Sequence, residues 1–118
     1  MNEIKLTINA REIVFSFGLG FIGALLEDTG ESIEEAVDHL NRNPFYMVPK
    51  LMYLSAQYAK TRDGEELDFT MVELTDWIDQ DGGVRNETIE KFLTSFTQSL
   101  AKGVPKQEGG DPGDPKKK

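Results

Sequence analysis

Three sets of residues in this chain have types and spacings that could do chemistry. Gly18, Gly20 and Gly23 fit the G-x-G-x-x-G pattern and follow an apolar run, Ile13 to Phe17, that could be a strand. In a dinucleotide-binding unit such glycines let the backbone approach a pyrophosphate at a helix N-terminus. Asp76, Asp79 and Asp81, followed by Gly82 and Gly83, offer carboxylates and a turn to a calcium ion. His39 is the only histidine and sits beside Asp38 and near Glu35, where an imidazole could exchange protons.

Each set lacks what its chemistry needs. A dinucleotide site requires a second parallel strand after the glycine-led helix, with an acid near its end for the ribose. Here Ser32 and Glu35 instead open another helix. A calcium loop with its obligatory glycine at Gly82 would place Trp77 at the first ligand position and Thr88 at the last, so two essential oxygens are missing. A solvated helix end accounts for those acids, and a solvated helix surface accounts for His39, which has no recognisable catalytic or metal-binding partners. No serine triad or phosphate-cradling loop is present, so the expectation is a protein without enzymatic activity, cofactor or metal.

Composition narrows the alternatives. At 118 residues the chain is one domain. The N-terminus lacks the basic and unbroken apolar regions of a secretory signal, and no apolar run approaches the roughly 20 residues that span a bilayer. Having no cysteine excludes disulfides and thiolate chemistry and fits a reducing cytoplasm. The formal charge is −8; residues 104–118 carry four lysines against three acids, which leaves −9 on residues 1–103. Such a body repels nucleic acid, whose binding depends on Lys and Arg neutralising phosphates, and suits a basic protein partner.

The periodicities then give the elements. Ile4, Leu6 and Ile8 alternate with polar residues, and Val14 and Phe15 continue a second strand, so Asn9 and Ala10 turn a short hairpin. Leu19, Ile22, Leu25 and Leu26 share a helical side that ends near Gly30. Ser32 with Glu35 makes a capping box for a helix with Ile33, Ala36, Val37 and Leu40 on one stripe. Phe45 to about Lys60 is a third helix, either beginning near Pro49 or kinked there. Thr70 and Glu73 cap a fourth with Leu74, Trp77 and Ile78 inward. The last runs from about Asn86 to Lys102, and its stripe, Ile89, Phe92, Leu93, Phe96 and Leu100, must meet the domain core or a partner. The fold expected is mainly α with α+β character: an N-terminal β-hairpin packed against about five α-helices. Residues 1–103 form this domain. Residues 104–118, VPKQEGGDPGDPKKK, read as a disordered tail, too poor in apolar residues to offset ordering entropy.

Taken in order, the hairpin IKLTINAREIVFSF, the segment GLGFIGALLEDTG, the helices ESIEEAVDHL, NPFYMVPKLMYLSAQYA and TMVELTDWID, and the final amphipathic helix resemble the tail assembly chaperones of long-tailed (siphovirus-type) bacteriophages and prophages. The resemblance covers most of residues 1–103. It implies a protein that binds the aggregation-prone tape measure protein, keeps it soluble and helps recruit tail tube subunits (the major tail protein). It further implies action in the host bacterial cytoplasm, absence from the mature virion and, in some members, homo-oligomers. A structural tail-completion or connector protein retained in the virion is the alternative. Apolar surface from the last helix, Phe92, Phe96 and Leu100, or from the Phe17 to Phe21 region, would mask the tape measure protein. Genes of this family commonly also make a frameshift-extended product. The terminal Lys116, Lys117 and Lys118 fit an A-rich slippery run, and equally an ordinary lysine-rich tail.

Overall fold

The computed structural model describes residues 3–83 and 86–103, with side chains described through residue 100. A two-stranded antiparallel hairpin, β1 (Glu3–Ile8) and β2 (Arg11–Ser16), precedes five helices: α1 (Leu19–Thr29), α2 (Ile33–Arg42), α3 (Pro44–Arg62), α4 (Met71–Gln80) and α5 (Glu87–Gly103). The expected fold class is the one observed. The proposed tail and its terminal lysines lie outside the described residues.

Register runs from Glu3 opposite Ser16 to Ile8 opposite Arg11. That leaves Asn9 and Ala10 as a two-residue turn, both in the left-handed region at φ 53° and 65°. Such a turn matches the twist of the strands, and Asn suits it, whereas Ala carries a Cβ strain there. Alternation places Leu6, Ile8, Ile13 and Phe15 in the core. The hairpin is thus a half-buried cover, which requires the helices beneath it.

Helix α3 is the central element, packed against β2, α1, α2 and α4. Its start is set by Pro44 at the first turn, and the helix continues unbroken through Pro49 to Arg62. Pro49 removes one backbone donor, whose partner would be the carbonyl of Phe45. Phe45 lies at the exposed start of the helix, so the loss falls where water can substitute. Both expected capping boxes are present, Ser32 with Glu35 and Thr70 with Glu73. Asn86 caps α5, its Oδ1 accepting from the Ile89 N–H at 2.8 Å. Where β2 ends, the buried Ser55 hydroxyl donates to the Ser16 carbonyl at 2.9 Å and ties the sheet to α3.

Two aromatic groups fill the interior. Phe15, Phe17, Phe21, Phe92 and Phe96 interlock, with centroids 5.2 Å apart for Phe15–Phe92 and Phe17–Phe92 and 6.0 Å for Phe21–Phe96. Such offset and edge contacts add roughly 0.5–1.5 kcal/mol per pair to area burial. Toward α4, Phe69 meets Trp77 at 5.1 Å, and the Arg11 guanidinium lies 4.8 Å from the Trp77 ring.

Candidate partner-binding surface

Four of the five residues expected to contact a partner belong to the core. Phe21 and Phe92 have no exposed surface and Phe17 and Phe96 only 2%. The α5 stripe therefore meets the domain, not a partner, because the hairpin and α1 offer it complementary aromatic rings. Leu100, half-buried, lines a shallow groove with Ile33, Glu34, Val37, Asp38 and Asn41 of α2. It alone of the five is placed to touch something outside.

The exposed apolar side chains lie elsewhere. Phe45 is 73% exposed, Val72 71% and Leu19 66%. Phe45 overhangs a second groove, lined also by Pro49, Thr75, Ile78, Asp79 and Gly83. Its position follows from local sequence: Pro44 fixes the first turn of α3, and the buried Met47, Val48 and Leu51 turn the helix so that Phe45 points outward. On α4, Leu74 and Ile78 face inward, which puts Val72, Thr75 and Asp79 on a shared outer stripe by three- and four-residue spacing. Sequence reading assigned Phe45 and Val72 to no surface, because it named only the inward-facing residues of each helix. The signal available was position: each stands within two residues of its helix's start, beside a cap and ahead of the buried run.

Of the three candidate chemical sets, Gly20, Asp81 and His39 take part in contacts between elements. After the glycine-led helix comes α2, and the sheet among the described residues has no parallel strand. Gly20 has a steric reason instead: a Cβ there would collide with the Tyr58 ring of α3, while one on Gly23 would meet open space. Asp81 accepts the Asn9 backbone N–H at 3.0 Å, holding the hairpin turn against the end of α4. His39 stacks on Tyr46, centroids 5.6 Å apart, and its Nδ1 lies 3.1 Å from Glu31 Oε2. Beside them Lys50 reaches Asp28 at 2.5 Å. The hydrogen bond to Asp28 holds the Lys50 ammonium above the usual lysine range, against the opposing effect of burial. These contacts link α1, the turn before α2, the last turn of α2 and α3, which is a clamp between helices.

Among the described residues no group of three or more His, Cys, Asp or Glu could hold a metal ion, and no helix is long and apolar enough to cross a membrane. Comparison with protein-family models, curated proteins and solved structures finds no match to this chain.

Proposed function

We propose that this protein is a phage tail assembly chaperone that binds the tape measure protein, keeps it soluble and helps bring tail tube subunits to it in the host cytoplasm. The observation that carries the reading is an acidic helical domain that completes its own aromatic core and still leaves Phe45 and Val72 exposed, Phe45 beside an open groove. Large apolar side chains at the mouth of a groove are suited to apolar segments of a client, and the −9 body supplies repulsion between loaded complexes. The order of hairpin and helices adds the resemblance to tail assembly chaperones.

Co-expression tests this. The tape measure protein should move from the insoluble to the soluble fraction when the chain is present; unchanged solubility refutes the proposal. Mass spectrometry of purified virions separates it from a tail-completion or connector protein, since a chaperone is absent and a structural part is stoichiometric.

A further inference from the structure

Residues 63–83 contain eight acids, Asp63, Glu65, Glu66, Asp68, Glu73, Asp76, Asp79 and Asp81, and no lysine or arginine; counting Arg85 leaves a net −7. This segment includes all of α4, one wall of the groove that Phe45 overhangs. Several of these carboxylates are engaged: Asp68 with Arg11, Glu65 with Lys60, Glu73 in its capping box and Asp81 with the hairpin turn. Asp76 and Asp79, both exposed on α4, have no hydrogen-bond or ion-pair partner among the described residues. Asp79 lines the groove, and Asp76 stands three residues before it on the same helix, so an apolar groove and unengaged carboxylates adjoin.

We propose that the groove between the start of α3 and α4 is a docking site for a basic amphipathic α-helix of a partner protein, with apolar residues against Phe45, Pro49 and Val72 and Lys or Arg beside Asp76 and Asp79. The occupant is helical because both walls are helices whose backbone bonds are spent internally, so packing is by side chains and no sheet edge is on offer. Helix α4 has ten residues, and at 1.5 Å per residue it is about 15 Å long. A matching partner is about three turns, with apolar residues at i, i+3 or i+4, and i+7. A polyanion or an acidic helix is repelled by the same carboxylates. The inference deepens the proposed function by naming the chemistry of the client segment, yet it holds for any protein partner.

The test uses the full chain and a labelled twelve-residue peptide with leucine at positions i, i+3, i+4 and i+7 and lysine or alanine elsewhere, read by fluorescence anisotropy. Binding is expected to weaken about tenfold on Phe45→Ser, as for truncation of a buried anchor residue, and on the double change Asp76→Asn with Asp79→Asn. It should also fall with added salt, and Leu19→Ser should leave it unchanged. Circular dichroism verifies that these surface variants fold. Equal binding of a scrambled peptide of the same composition would show charge attraction alone and overturn the proposal. So would indifference to Phe45→Ser, or a Phe45→Ser variant that instead dissociates an oligomer of this chain in sedimentation. Failure here with the tape measure protein still solubilised would overturn the groove and leave the chaperone reading standing.

Discussion

Replacing Gly20 by alanine sets two effects of similar size against each other, and the Tyr58 ring decides the sign. Gly20 is the second residue of α1, and Ala is the better helix former by up to about 1 kcal/mol, less in a first turn. The added methyl occupies space now filled by the tip of the Tyr58 ring. Tyr58 is half-buried, so its ring yields by swinging off α1. A tyrosine with roughly 100 Å² buried draws about 2.5 kcal/mol from that burial, and losing more than half of it outweighs the helix gain. Gly20→Ala should therefore destabilise the domain by about 1 kcal/mol, read as a lower urea midpoint with unchanged slope. In a Tyr58→Ala background the obstacle is gone, and the same substitution should stabilise by about 0.5 kcal/mol. A change of the same sign and size in both backgrounds would show that Gly20 is not there to seat Tyr58, and the packing account of the glycine pattern would fail.

Phe96→Asp should unfold the domain at 25 °C, because losing a buried phenylalanine ring costs about 3–5 kcal/mol and the unpaired carboxylate put in its place several more, a sum that reaches the roughly 5–15 kcal/mol total stability of a domain. A folded variant by circular dichroism would return Phe96 to a surface. Ala10→Gly should raise stability by about 0.5–1 kcal/mol in thermal or urea melts, since φ 65° strains alanine and not glycine; a loss of stability would mean the turn differs. Lys50 has a raised pKa in the folded state, so its contribution is complete below the ordinary lysine pKa of about 10.5 and is lost as pH rises through the higher folded value. The stability difference between the parent and Lys50→Met, below about 1 kcal/mol because Asp28 is partly exposed, should hold steady from pH 7 to about 9 and shrink toward pH 11. A difference that grows with pH refutes the pairing.

Most of the architecture was legible because its signals are local. Ser32 with Glu35, Thr70 with Glu73, Asn86, and Gly30 as a left-handed helix stop act within one turn, and each is found where the sequence puts it. The alternation in β1 and β2 was equally local. What could not be read was which stripe meets which. Phe92 and Phe96 look the same in sequence whether they await the hairpin or another protein, and only the return of α5 to Phe15, Phe17 and Phe21 decides. Phe45 and Val72 were harder to read for the converse reason: their places at the helix starts are local, but which side of α3 and α4 turns inward is set by packing against other elements. The role of Gly20 likewise depends on Tyr58, which lies on another helix.

The interlocked phenylalanines bear on the order in which the chain can be made and folded. The hairpin and α1 leave the ribosome first, but the rings that cover Phe15, Phe17 and Phe21 belong to α5, the last element of the domain. Until about residue 96 has emerged, Phe15, Phe17 and Phe21 can pack on α3 but lack the aromatic partners that complete their burial, and such unfinished apolar surface favours aggregation of partly made chains. The hairpin and α1 are thus made before, and finished after, the helices between them and α5, and in that interval this protein has the same need for shelter that it is proposed to meet in another.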